Sequence, residues 1–237
     1  MVNPQSNPEE AVMTGAPSQP MKLATTSDDQ IGLSYAEVLY LLAMGPGPAA
    51  ERTRETLLLD GIDDAEKISL IGASALMARG LIAFTEDGES IGAVDQALYI
   101  RFVLTNATRW TAFQATDGGE GGDTGFFIES PRGQLLVQPR AFDTWWFVLL
   151  HPDAAASDVL AATALGWGDS APEMAVFIRS RTMTVDRSFT IHVAAGSWSY
   201  AFGVTGAPEP EQRREDVSRA DTEAAVKGFA DSVGEAS

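Results

Sequence analysis

The spacing of apolar residues changes along this chain, and this change limits the folds that it can adopt. Residues 34–104 carry apolar side chains every three or four positions, as in helices that bury one face. From Trp110 onward, short apolar and aromatic runs are separated by Gly, Pro and Asp, as in strands joined by tight turns. Helices followed by hairpins, with one more helix among the strands, predict an α+β fold.

The helical part begins with a capping box, because Ser34 and Glu37 are spaced to satisfy the free amides of a first turn. That helix is predicted to end at Gly45-Pro46. Further helices are predicted over Pro48–Leu59, Asp63–Gly80 and Asp95–Leu104. A small hairpin is predicted before the last of them, around the turn at Asp87-Gly88. Three helices and a hairpin give the outline of a winged-helix-like lobe.

The second part predicts an antiparallel sheet with packed helices. The predicted strands are Trp110–Ala115, Gly125–Ile128, Leu135–Val137, Trp145–Leu150, Met174–Ile178, Phe189–Val193 and Trp198–Phe202. One helix, Ser157–Leu165, interrupts this series.

Two tails flank a single predicted domain that spans residues 31–205. Residues 1–30 are rich in Pro, Ser and acids and are predicted to be disordered, and residues 206–237 are predicted to be acidic and largely disordered. A short helix is predicted near Ser218–Phe229, without docking on the domain. The chain has no cysteine, no apolar run of about 18 residues and no signal-peptide pattern. We therefore expect a cytoplasmic protein that does not enter a membrane.

The charge of the chain argues against nucleic acid as a partner. Acidic residues number 33 and basic residues 16, so the net charge is −17. Such a field repels phosphate backbones and anionic lipid surfaces. The predicted third helix begins Asp63-Asp64-Ala65-Glu66, which places acids where a DNA-reading helix would approach phosphate.

Catalytic motifs are missing from the sequence. Its two histidines, His151 and His192, have no second ligand at metal-site spacing, and neither a phosphate loop nor a serine-nucleophile motif occurs. The segment Gly118–Gly125 resembles one unit of a calcium-binding repeat, but a single copy predicts a flexible loop instead. We expect no enzyme, cofactor or metal site, although a pair of distant carboxylates that meet in a cleft is the remaining enzymatic alternative.

Aromatic residues offer a binding surface. Trp145 and Trp146 are consecutive in a predicted strand, so their side chains point to opposite faces. One of them fits a core, and the other needs a cover from a helix, a tail or a partner. Trp198 and Tyr200 are predicted to share one face of the last strand.

The run from Ser130 to Asp143, which contains Pro131-Arg132-Gly133 and Arg140-Ala141-Phe142-Asp143 before Trp145, resembles the EspG family. These proteins are cytosolic chaperones of mycobacterial type VII (ESX) secretion. The resemblance extends over roughly residues 34–165 and includes three shorter matches: Arg79-Gly80-Leu81-Ile82, Val94-Asp95 and Arg109-Trp110.

The resemblance implies an EspG-like α+β fold and a non-enzymatic chaperone that shields an apolar surface of a PE–PPE-like secretion substrate. It implies partner contacts in the loop Gly118–Asp123, and we select Glu120 and Asp123 together with Trp145 and Trp146 as partner-binding residues. Family members contain two repeats, whereas the sequence indicates one, followed by an unmatched region over 174–204. A homodimer is therefore expected to restore the two-repeat shape. The alternative is a winged-helix-like regulatory protein that acts through protein–protein contacts.

Overall fold

The first part of the chain forms a helical lobe preceded by one strand. A computed structural model describes residues 30–60, 65–86, 88–118, 122–151 and 153–235. The first elements are β1 (Gln30–Ser34), α1 (Tyr35–Ala43), α2 (Pro48–Thr56), α3 (Ala65–Ala78), β2 (Ile82–Phe84), β3 (Ile91–Ala93) and α4 (Asp95–Thr105). The predicted helices and the small hairpin are confirmed. The strand β1 is absent from the prediction, which begins the folded part with a helix.

Local sequence explains how the lobe starts and why its helices pack closely. Ser34 ends β1 and caps α1, and its backbone amide donates to the Glu37 carboxylate at 2.7 Å, as the capping box predicts. At Gly72, α3 approaches α1 so closely that a β-carbon there would lie 1.9 Å from the carbonyl oxygen of Ala36. Only glycine permits this approach.

The second part forms most of the sheet. Its elements are β4 (Arg109–Thr116), β5 (Asp123–Ser130), β6 (Gly133–Arg140), β7 (Thr144–Leu149), α5 (Ala156–Gly168), β8 (Glu173–Arg181), β9 (Asp186–Ala194), β10 (Ser197–Val204), β11 (Gln212–Val217) and α6 (Arg219–Glu235). Nine strands form one antiparallel sheet in the order β1-β7-β6-β5-β4-β8-β9-β10-β11, and β2 pairs with β3 separately. The α+β fold, with helices first and then an antiparallel sheet with packed helices, is confirmed.

The helices cover opposite faces of the two halves of the sheet. Helices α1 to α4 pack on one face of the half that contains β1, β7, β6 and β5, around a core that includes Trp110 and Phe147. Helices α5 and α6 pack on the other face, over the half that contains β8, β9 and β10, around a core that includes Phe113 and Phe189. Each face of the sheet is therefore covered over only part of its width.

Residues 212–235 form a strand and a helix, which differs from the prediction that residues 206–237 are largely disordered. Strand β11 pairs with β10 at the edge of the sheet, and α6 packs on the second core through Val226, Phe229, Ala230 and Val233. These four residues follow the i, i+3, i+4, i+7 spacing of a helix that buries one face. The predicted helix near Ser218–Phe229 is therefore present, but it is longer and it is docked. Of residues 1–30, which were predicted to be disordered, Gln30 begins β1 and residues 1–29 lie outside the described residues.

Strand β4 has a partner strand on each side, and one of these partners belongs to the unmatched region over 174–204. On one side β4 pairs with β5, and on the other it pairs antiparallel with β8, with Phe113 opposite Ile178. Residues 174–204 thus continue the same sheet within the same chain. Strand β4 therefore has a neighbour on each side and is not an edge of the sheet.

Candidate protein-binding surface

The two consecutive tryptophans of β7 lie in different environments. Trp145 is only 7% exposed and packs in the first core, with its ring centroid 5.8 Å from that of Tyr35. Trp146 points to the opposite face and is 43% exposed. The predicted alternation of these side chains is confirmed, and Trp146 is the one that lacks a complete cover.

The backbone of β1 forms the seat of Trp146. Gly32 pairs with Trp146 across the β1–β7 ladder. A β-carbon at Gly32 would lie 3.4 Å from the indole ring, so the ring lies directly over the glycine. On the other side, Trp146 pairs with Gln138 of β6. An exposed indole that rests on a flat backbone offers a broad apolar contact area with few rotatable bonds.

A small cavity of 60 Å³ opens beside Trp146, between the sheet and α5. Trp167 of α5 forms its far wall and packs edge-on against Phe113, with ring centroids 5.8 Å apart. The sheet contributes Gly125, Leu136, Gln138, Arg140 and Val148 to the lining. The cavity is large enough for water molecules or for the end of one inserted side chain.

One polar group in this cavity has no partner. The hydroxyl of Thr163 on α5 is buried and lines the cavity, and it makes no hydrogen bond to any described residue. A buried hydroxyl without a partner costs free energy, so a water molecule or a polar atom of a bound molecule is favoured there. Arg140 adds a cation to the rim, and it has no ion pair within the described part of the chain. The surface therefore joins an apolar ring to a few polar groups.

Of the other two selected residues, Asp123 can be placed relative to this surface and Glu120 cannot. Asp123 begins β5, opposite Ala115 of β4, and lies two residues before Gly125, so it shares the face of the sheet that carries the cavity. Its side chain is half-buried. Glu120 lies outside the described residues. The structure thus brings Asp123 and Trp146 to one face of the sheet and places Trp145 on the other.

Sequence patterns did not indicate three contributors to this surface. Thr163 lies in the predicted helix Ser157–Leu165, and Trp167 lies two residues beyond its predicted end; no local pattern fixes where this helix packs on the sheet. Gly32 belongs to the strand that the prediction lacked. The run Gln30–Ser34 alternates polar and apolar residues, and this alternation is the signal that could have revealed β1.

The remaining aromatic residues of the sheet divide between core and surface. Trp198 and Tyr200 do share one face, and both pack in the second core. Phe177 of β8 is 37% exposed on the uncovered part of the opposite face, where Thr190 and His192 of β9 are also exposed. Phe177 therefore resembles Trp146 as a partly exposed aromatic residue in a strand, but it does not line the cavity beside Trp146.

Neither a metal cluster nor a membrane-spanning helix occurs within the residues that the structure describes. No three His, Asp or Glu side chains among them come close enough to hold an ion. No described helix combines the length and apolar character that crossing a bilayer requires. In comparison with known proteins, no protein-family model matches this chain, and no curated protein is significantly similar to it.

Proposed function

We propose that this chain is a non-enzymatic, protein-binding chaperone or adaptor that shields an apolar surface of a client protein. The observation that carries the proposal is the partly exposed indole of Trp146 over Gly32, beside a cavity with an unpartnered hydroxyl. Large aromatic side chains next to a pocket are the commonest anchors of protein–protein contacts. Asp123 and Arg140 provide charges at the margin of the same face.

The EspG-like interpretation is supported by the order of the elements. Residues 34–165, which carry the resemblance, contain the helical lobe, the small hairpin, a helix and a four-stranded meander in the expected sequence. On this interpretation the client is a PE–PPE-like secretion substrate that is held in the cytoplasm before export. Of the two edge strands of the nine-stranded sheet, β1 is uncharged and is the more suitable for self-association, because β11 carries four charged residues in its six positions.

A specific observation also favours the alternative of a winged-helix-like regulatory protein. Helices α1 to α3 are followed directly by the β2–β3 hairpin, which is the element order of that motif. Glu66 lies in the first turn of α3, and the net charge is −17, so such a protein would act on other proteins and not on DNA.

The test compares Trp146→Ala with Phe177→Ala. Tagged wild-type protein is purified from its native cells, the co-purifying client is identified, and its affinity for each variant is measured with purified components. Trp146→Ala is expected to weaken binding by about tenfold or more, as for an interface anchor, whereas Phe177→Ala leaves it unchanged. Equal affinities for both variants would contradict the proposal. Circular dichroism and urea unfolding establish that both variants remain folded.

A further inference from the structure

A groove of 390 Å³ lies in the helical lobe, between α2 and α3. Helix α1 contributes Leu39 and Leu42 to it, and both are buried. The remaining apolar lining comes from Ala43, Pro46, Ala50 and Leu70. This groove is more than six times larger than the cavity beside Trp146 and belongs to a different layer of the molecule.

Helix α3 exposes three large apolar side chains, and one of them, Leu70, lines the groove. Leu70 is 62% exposed, and Ile71 and Met77 are also exposed. Leu70 and Met77 are seven residues apart, so they lie on the same side of the helix. Single exposed apolar residues are common on protein surfaces, but Leu70 lies at the wall of a groove whose floor is apolar and buried, and this combination indicates a contact surface.

Two carboxylates give the groove an acidic character. Glu51 of α2 and Glu66 of α3 both line it, and neither has an ion-pair partner in the described part of the chain. The one cation of the lining, Arg54, is neutralised by Asp60 at 2.9 Å. The groove therefore presents two uncompensated negative charges beside an apolar floor, and the net charge of −17 reinforces them.

We propose that this groove binds an amphipathic helix of a partner protein whose apolar stripe is flanked by Lys or Arg. The carboxylates of the lining attract the Lys or Arg residues of the partner helix, and the apolar floor contacts its apolar stripe. A helix fits better than a strand, because the groove walls are helices with internally satisfied backbones and offer no edge for strand pairing. The groove lining extends over about two turns of α2, from Gly47 to Arg54, and about one turn of α3, from Glu66 to Leu70, so about two turns of a bound helix make contact.

This inference rests on the proposed function, since it names a second contact with the same class of partner. It differs from that function in site and in chemistry. The surface around Trp146 recognises apolar groups on a flat sheet, whereas the groove recognises the helical spacing and the positive charge of one segment.

The experiment uses the full chain and a labelled peptide of about 16 residues made of Leu and Lys, with leucines at helical spacing. A control peptide has the same composition with leucines in strict alternation. Binding is measured by fluorescence anisotropy at about 0.15 M salt, where long-range attraction is largely screened. The helically spaced peptide is expected to bind, and the alternating peptide to bind about tenfold more weakly or not at all.

Matched variants locate the binding. Leu70→Gln removes an exposed apolar residue of the groove, and Phe142→Gln removes a 97% exposed one from the turn before β7. Leu70→Gln is expected to weaken peptide binding about tenfold, and Phe142→Gln to leave it unchanged. The pair Glu51→Gln and Glu66→Gln is expected to weaken binding and to reduce its salt dependence. Both acids also lie in first turns, where they stabilise the helix dipole, so unfolding curves accompany that variant.

Three results would overturn the inference: no binding of the helically spaced peptide, equal binding of both peptides, or equal affinities of Leu70→Gln and Phe142→Gln. These results are independent of the client assay. If the peptide does not bind to the groove but Trp146→Ala still weakens client binding, the further inference is wrong and the proposed function is retained. If peptide binding depends on Leu70 but Trp146→Ala does not change client binding, the groove is a binding site and the surface around Trp146 is not.

Discussion

At the scale of single residues, one buried ion pair connects three elements. Arg109, at the start of β4, forms a two-pronged ion pair with Glu129 of β5, with one of the two distances 2.7 Å. The same guanidinium donates to the backbone carbonyl oxygen of Ala230 in α6. Arg109 therefore ties the C-terminal helix to the centre of the sheet. Such charge-assisted bonds are strong, but they form only after both groups lose their water.

This ion pair predicts a pH dependence of stability. Burial raises the pKa of Glu129 above its usual value, although the hydrogen bond and the charge of Arg109 act against it. The folded state therefore holds this proton more tightly than the unfolded state, and the contribution of Glu129 to stability grows as the pH falls from 7 towards 4.5. Compared with Glu129→Gln, the wild type should gain free energy of unfolding over this range in urea titrations. A difference that shrinks as the pH falls would show that Arg109 dominates instead.

The neighbouring tryptophans show what a local pattern can predict at this scale. Strand alternation is enough to place Trp145 and Trp146 on opposite faces. It does not decide which of them is buried, because that depends on where the α1–α4 lobe and α5 lie on the sheet. Both positions are set by contacts between residues far apart in the sequence.

At the scale of elements, the packing of α3 on α1 predicts the effect of one methyl group. Gly72→Ala would bring a β-carbon to 1.9 Å from the carbonyl oxygen of Ala36, so the two helices must separate. We expect a loss of about 3 kcal/mol in the free energy of unfolding, at the upper end for overpacking. Gly228→Ala in α6 is the matched control, because no atom lies within 4 Å of its added β-carbon. The free energy of unfolding of Gly228→Ala should rise by up to about 1 kcal/mol, because alanine has a higher helix propensity than glycine. Similar stabilities of the two variants would contradict the close approach of α1 and α3.

The docked C-terminal helix predicts a second effect at this scale. Phe229 is buried, and its ring centroid lies 5.4 Å from that of Phe189 and 6.4 Å from that of Phe202. Phe229→Ala should lower the free energy of unfolding by about 3–5 kcal/mol, as for other buried aromatic residues. The exposed Asp231 provides a control, because Asp231→Ala should change the free energy of unfolding by less than about 0.5 kcal/mol. If both substitutions had small effects in urea unfolding, α6 would not be docked in solution.

Elements with strong local signals were predictable, and the edge strand β11 was not. The capping box gave the start of α1, and turns at glycine gave the hairpins of the meander. Strand β11 has the sequence Gln-Arg-Arg-Glu-Asp-Val, which lacks apolar alternation and is a strand only because β10 offers a partner. The burial of α6 follows from Val226, Phe229, Ala230 and Val233, whereas the helix was predicted from Val217, Ala224, Ala225 and Phe229, which share only Phe229 with this stripe.

At the scale of the whole molecule, two offset helical layers explain why binding surfaces are left free. The lobe of α1 to α4 and the pair of α5 and α6 lie on opposite faces, and they overlap only near the centre of the sheet. Strand β4 contributes to both cores, through Trp110 on one face and Phe113 on the other. A sheet covered in this way keeps an uncovered strip around Trp146 and another around Phe177, while each helical layer has a core of its own.

The net charge sets the last prediction. Acidic residues exceed basic ones by 17, and many basic residues are already engaged, such as Arg79 with Glu37 and Arg219 with Asp169. Repulsion among the unpaired carboxylates destabilises the folded state, and surface ion pairs stabilise it. We expect the repulsion to be the larger of the two effects. Raising NaCl from about 0.01 to 0.3 M should increase Tm by about 2–4 °C, which corresponds to about 1 kcal/mol for a chain of this size. Choline chloride should act equally, because screening does not depend on the cation. A fall in Tm would mean that the ion pairs outweigh the repulsion, and a rise with sodium alone would indicate a specific cation site.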